Sequence, residues 1–192
     1  MEKNSLKPTC RMLVIGGSAG SLDALLEIVP LLKPTISIPI VLVLHRKNST
    51  EVMLTELITA KTKLAVKEIE DKELIQNSTV YIVPGDYHLL IEKSGHFSLD
   101  FSEKINFSRP SIDVTFESAS LVYGPELACI VLSGANTDGS EGARIVKERG
   151  GVVIAQRPDT AVVSIMPEAT IEHAQPQYVF DIQEMVDYIN LL

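Results

Sequence analysis

Short unbroken runs of branched apolar residues recur along the chain, separated by mixed segments that read as helices. The runs are Met12–Ile15, Ile40–Leu44, Val80–Val83, Leu127–Leu132, Val152–Ala155 and Tyr178–Phe180. Most are continuous rather than alternating, which predicts strands buried on both faces of a parallel sheet. Helices are expected over Ser21–Leu32, Thr50–Ala60, Ser111–Tyr123, Gly139–Arg149, Pro167–His173 and Ile182–Leu192. In the fourth, Glu141, Ile145 and Glu148 show one-sided spacing, and Gly150-Gly151 is a stop signal. One region breaks the alternation. His88–Phe101 reads as two short strands around Lys93-Ser-Gly95, a hairpin. The expectation is a doubly wound α/β domain, its sheet mostly parallel with helices on both faces, carrying an appended antiparallel hairpin. Residues 1–10 are expected to be a loose arm and 11–192 one domain.

Composition narrows the function classes. The 192 residues suffice for one substantial core, and 45% hydrophobic with 22% charged residues is ordinary for a globular chain. Against 25 acidic residues stand 17 basic ones, a net charge of -8, with no Lys/Arg cluster to favour nucleic acid or an anionic membrane. Cys10 and Cys129 are far apart, outside any CxxC pattern, and Cys129 lies within an apolar run, as a buried structural thiol would. No signal-peptide core follows the polar start and no apolar stretch is long enough to span a bilayer, so a cytoplasmic location is expected without membrane insertion. The four histidines lack metal-ligand spacing, so neither metal nor cofactor is expected.

The candidate chemistry lies where strands end. In Met12-Leu-Val-Ile-Gly-Gly-Ser-Ala-Gly-Ser21 a strand runs into a glycine-flanked serine, and a helix follows. Ser18 therefore stands beside unpaired N–H groups and the positive end of a helix dipole. His45 closes the second strand and Asp138 follows the fourth, in Leu132-Ser-Gly-Ala-Asn-Thr-Asp-Gly139. Ligands of open parallel sheets bind at the carboxyl edge, where all three converge. A serine nucleophile needs an imidazole to take its proton and a carboxylate to orient that imidazole, and each role is filled once. Taken singly, Ser18 reads as a helix cap, His45 as a strand-end residue and Asp138 as the cap of the helix near Gly139. Asp86 and His88 read as turn chemistry, His96 and His173 as surface residues, and Pro110 as the first turn of its helix.

Residues 16–20 match the Gly-x-Ser-x-Gly elbow of α/β-hydrolases. The order Ser, His, Asp differs from that family's Ser, acid, His, and only a short arm precedes the serine. The glycine loop also lacks the Lys-Ser/Thr of a P-loop, and Ser18 interrupts a dinucleotide fingerprint.

Six segments in order carry a further likeness: Ile15-Gly-Gly-Ser-Ala-Gly20, the strand ending in His45, Tyr81–Leu89, Arg109-Pro-Ser-Ile-Asp-Val-Thr-Phe116, Leu132–Gly139, and Gly150–Gln156 continuing to Met166-Pro167. From Arg11 onward the chain resembles the catalytic domain of the chemotaxis protein-glutamate methylesterases, the CheB family. The resemblance implies Ser18 as nucleophile, His45 as general base and Asp138 as orienting acid. It implies glutamate methyl esters on the helical bundle of a chemoreceptor-like protein as substrate, and deamidation of some glutamines. Gly17, Ala19, Gly20, Gly134, Ala135 and Asn136 are expected to line the site, with backbone N–H groups near Ser18 and in the 134–136 loop serving the oxyanion.

Two departures stand out. Ala19, Gly20 and Ser21 replace the family's usual Thr-Gly-Gly, and Ala135 and Asn136 interrupt its Gly-Met-Gly-x-Asp loop. The family's receiver domain has no counterpart in the ten-residue arm, leaving a separate module, another polypeptide such as a receiver or kinase protein, or no regulation. The competing readings are a weak or inactive docking module of the same fold, and an esterase for another ester or amide.

Overall fold

The computed structural model describes residues 9–45 and 51–192. Residues 1–8 of the expected arm, and Thr50 at the expected helix start, lie outside them. In chain order the elements are β1 (Met12–Gly17), α1 (Ser21–Ile28), β2 (Ile40–Leu44), α2 (Glu51–Thr59), β3 (Ala65–Glu68), β4 (Thr79–Ile82), β5 (His88–Ile91), β6 (Phe97–Asp100), α3 (Ile112–Tyr123), β7 (Leu127–Val131), α4 (Ser140–Glu148), β8 (Val152–Gln156), α5 (Ile165–Ala174), β9 (Tyr178–Phe180) and α6 (Ile182–Ile189). The apolar runs became strands and the mixed segments helices, with ends displaced by a few residues. α1 stops earlier than expected because Pro30 turns Val29–Leu31 into a 3-10 coil.

Seven strands form one sheet in the order β3-β4-β2-β1-β7-β8-β9, and every pairing is parallel. Its two faces are separate cores. Leu13 and Ile15 of β1 point to one, packed by Leu25 and Ile28 of α1, Ile58 of α2 and Met185 and Ile189 of α6. Met12 and Val14 point to the other, packed by Phe116 of α3, Val146 of α4 and Met166 of α5. Residues that alternate faces along one strand are all buried, hence the unbroken apolar run. β5 and β6 pair antiparallel as a separate hairpin, whose Phe97 meets Tyr81 edge-on at 4.8 Å.

β3 was not foreseen. Ala65-Val-Lys-Glu at the sheet edge is exposed or half-buried and carries no apolar run to announce it. Pro110 is not in the first turn of α3. Ser111 is the cap, its hydroxyl accepting from Val114 N–H, and Pro110 precedes it after a cis Arg109–Pro110 bond.

The order places β1 between β2 and β7, where the chain's winding reverses. A crevice opens there between loops that leave in opposite directions, the general position for a ligand in such sheets. The loops after β1, β2 and β7 carry Ser18, His45 and Asp138. On one flank α3 and α4 pack closely: a Cβ at Gly142 would lie 2.8 Å from the Asp113 Cα and 2.8 Å from the Phe116 Cβ, so only glycine admits this approach.

Candidate active site

β1 ends at Gly17, whose carbonyl accepts from the His45 N–H at 3.1 Å and so ties the ends of β1 and β2 together. The Ser18 backbone is clamped on both sides. Its N–H donates to the Ser133 carbonyl (2.9 Å), and its carbonyl accepts from the Ser21 N–H (3.0 Å) and hydroxyl (2.6 Å). Only the side chain is left for chemistry. Gly20 then caps α1 in a left-handed conformation, φ 78°, with no side chain bonded to the helix end. The Ala19 and Gly20 N–H groups find no acceptor among the described residues. A negative charge forming on a substrate beside Ser18 would meet these donors and the helix dipole.

His45 and Asp138, distant in sequence, meet at 2.7 Å between Nε2 and Oδ2. Asp138 is fully buried and the imidazole 12% exposed. The carboxylate accepts three more bonds: Oδ2 from Ile112 N–H (2.7 Å), Oδ1 from the Ser111 hydroxyl (2.8 Å) and Asp113 N–H (3.2 Å). Burial works to raise the Asp138 pKa, but the bonds from His45, Ile112 and Ser111 prevail and hold it below the ordinary carboxylate value. An ionised, acceptor-only Asp138 assigns the proton to His45 Nε2 and leaves Nδ1 as the basic nitrogen. Nδ1 lies 3.4 Å from the Ser108 hydroxyl, the outer limit of a hydrogen bond.

Ser18 and His45 line one cleft of about 610 Å³ with Leu22, Leu44, Leu54 and Leu57. No hydrogen bond joins the Ser18 hydroxyl to the imidazole among the described residues. The histidine–aspartate half of the expected triad is thus formed, and the serine stands in the same cleft without its bond. Contacts of this kind are commonly loose until substrate binds.

Asp138 does not cap the helix that follows it, the role it would have if read singly. Gly139 is the cap position of α4, without a side-chain bond. Asp138 instead receives the N-terminal N–H groups of α3, while Asp113, in the first turn of α3, receives Gly139 N–H (2.9 Å) and Gly142 N–H (2.6 Å) at the start of α4. Each helix is capped by a carboxylate from the other's approach. Burial first, and then the charge of Asp138, push the Asp113 carboxyl up to about 7.

The 134–136 loop divides its roles. Gly134 N–H is spent on the Val163 carbonyl (3.1 Å), so it is no oxyanion donor, whereas Ala135 is exposed and its N–H has no acceptor among the described residues. Asn136 braces the site: its amide donates to the Ser108 hydroxyl (3.3 Å) and accepts from Asp138 N–H (3.2 Å). Ser108, Ser111 and Asp113 were not singled out from sequence as site residues. The only signal was their place in or beside the Arg109–Phe116 segment. His88 is a buried structural residue, its Nδ1 accepting from Ser111 N–H (3.1 Å) and its Nε2 meeting the Glu103 carbonyl (3.0 Å). Among the described residues no group of three His, Cys, Asp or Glu side chains is placed to hold a metal.

A family model described as CheB methylesterase matches residues 13–189. A protein of Leptospira interrogans is 41% identical over 175 residues, 91% of each chain. The protein-glutamate methylesterase/protein-glutamine glutaminase of Thermotoga maritima is 38% identical over 172 residues, 88% of this chain and 50% of that protein. The crystal structure of the Thermotoga maritima CheB methylesterase catalytic domain superposes with a TM-score of 0.91 at 36% identity, covering 95% of this chain and 99% of that one. The parallel sheet with its separate hairpin is that domain's fold, and the chain belongs to the CheB methylesterase family.

Proposed function

We propose that this protein is a serine hydrolase that removes methyl groups from glutamate methyl esters of a chemoreceptor-like protein. The observation that carries the reading is the 2.7 Å bond from a buried Asp138 to His45, which lines one cleft with Ser18 at an uncapped helix start. His45 Nδ1 takes the Ser18 proton as Oγ bonds to the ester carbonyl carbon. The Ala19 and Gly20 N–H groups receive the charge that develops on the carbonyl oxygen. When the tetrahedral species collapses, the C–OCH3 bond breaks and the imidazolium returns its proton to the departing methoxide, giving methanol. Water, deprotonated by the same nitrogen, then attacks the acyl carbon; the bond to Ser18 Oγ breaks, the imidazolium returns its proton to Oγ, and glutamate is released. A glutamine side chain follows the same course with ammonia leaving, the second activity in the name of the Thermotoga relative. No helix of the described residues is long and apolar enough to cross a membrane, and a cytoplasmic site of action is part of the proposal.

The test is methanol release from a methyl-labelled receptor. Ser18→Ala should reduce it by about 10⁴-fold or more. Undiminished release would remove Ser18 from the mechanism, and absence of release by the unaltered protein would reject the substrate.

A further inference from the structure

The turn Ile105–Ser108 combines two features that disfavour the folded state. Ile105 and Ser108 exchange backbone hydrogen bonds (3.2 and 2.9 Å), closing a two-residue turn with Asn106 at φ 49° and Phe107 at φ 63°. Such turns favour Asn followed by Gly, and a bulky aromatic at positive φ is an outlier. Phe107 is also 96% exposed, so it gains nothing from burial in return. Strain of this kind, held in place by its surroundings, is found where the molecule meets something else.

The surroundings do hold it. The Asn106 amide meets Asp113 Oδ2 at 3.5 Å, and Ser108 is bonded by Asn136 and faces His45 Nδ1. The residue next to Phe107 therefore faces the proposed base, and a body resting on Phe107 lies beside the rim that carries His45. A second exposed apolar side chain, Met53 of α2 at 73%, lines the cleft from another element. A lasting dimer seated on this turn would close the site, whereas a protein substrate has to come to it.

We infer that Phe107 is a docking residue for the protein substrate, an aromatic anchor that seats in an apolar hollow of the helical surface carrying the glutamyl ester. The inference rests on the methylesterase reading above. Aromatic side chains, phenylalanine among them, are enriched in protein interfaces relative to the rest of the surface.

Phe107→Gly tests it, because glycine accepts φ 63° freely and the thermal midpoint should hold or rise. Against a methyl-labelled receptor fragment its KM should rise about ten-fold or more with kcat little changed. Against p-nitrophenyl acetate, which brings no protein surface to rest on Phe107, the loss should be far smaller. Phe107→Trp should keep KM near that of the unaltered protein. An unchanged KM for the receptor fragment would overturn the inference alone, as would equal losses on both substrates. A dimer abolished by Phe107→Gly with kinetics unaffected would assign the residue to self-association instead. Failure of the unaltered protein to demethylate the receptor, with p-nitrophenyl acetate still cleaved, would overturn the methylesterase reading and this inference together.

Discussion

α1, α3 and α4 begin beside the crevice, and their N-termini are treated in two ways. α3 and α4 are closed by carboxylates, Asp138 and Asp113, each donated by the other's approach. α1 begins on a left-handed glycine with no side-chain cap, next to Ser18. A carboxyl group at a helix start satisfies orphan N–H groups, and an ionised one such as Asp138 also favours the dipole, so two helices are stabilised and fixed to each other. On the proposed mechanism, the same group at α1 would occupy the donors that a developing oxyanion requires and would repel it. The fold stabilises the scaffold on one side and leaves the reaction side open.

Breaking the closed side at Asp138 should have the largest effect. Asp138→Asn keeps a similar shape and an acceptor for α3 but removes the charge and places N–H groups near His45 Nε2. The imidazole then loses the partner that keeps its proton on Nε2 and Nδ1 basic. A fall in kcat of about 10⁴-fold is expected, acting through the tautomer, together with a lower thermal midpoint because the amide sets its own N–H groups against a donor of the buried site. Steady-state methanol release beside a thermal melt checks it, and a kcat within ten-fold would show that His45 does not depend on this carboxylate.

Converting the open side into a closed one should cost less. Ala19 is exposed and outside the positive-φ positions, so Ala19→Asp is sterically permitted. Its carboxylate would compete for the free N–H groups of Ala19 and Gly20. Blocking one oxyanion donor is worth about 10²-fold or more in kcat. Ala19→Asn, similar in shape and uncharged, should lose less, and the ratio of the two reports the charge. Equal rates for both would mean that the start of α1 takes no part in stabilising the transition state.

The sheet was legible in the chain because burial on both faces of a parallel strand demands an unbroken apolar run, and β1, β2, β7 and β8 each supply one. β3 was not, because Ala65-Val-Lys-Glu lies exposed or half-buried at a sheet edge and carries no apolar run, unlike Tyr178–Phe180 at the opposite edge. Ser18, His45 and Asp138 could be gathered at one edge from sequence alone since each follows a strand of the seven-stranded sheet, whose strands share one direction. The crossed caps could not. Asp138 looks like the cap of its own helix by sequence proximity, and nothing local to Asp113 tells that α4 starts beside it. That pairing depends on the close α3–α4 approach at Gly142, a property of tertiary packing rather than of either helix.

The smallest effect separates the two capping carboxylates by pH. Asp138 is held below its ordinary value of 3.8, so its contribution to stability is present above the usual carboxylate range and fades only below about pH 4. Asp113 runs the other way, because burial and the neighbouring charge of Asp138 raise it to about 7. Between about pH 4 and pH 7 the unfolded chain has released this proton while the folded protein keeps it, so stability declines as pH rises through that interval. The groups facing Asp113 are Asp138, the Asn106 amide and the N–H groups of Gly139 and Gly142. Of these only Asp138 titrates, and it does so below the interval. Asp113→Asn retains an acceptor for both N–H groups and removes the titration. The thermal midpoint of the variant should therefore gain on that of the unaltered protein steadily from pH 4 to pH 7. Parallel profiles would mean that Asp113 is ionised throughout, and that the α4 cap is a charged one like that of α3.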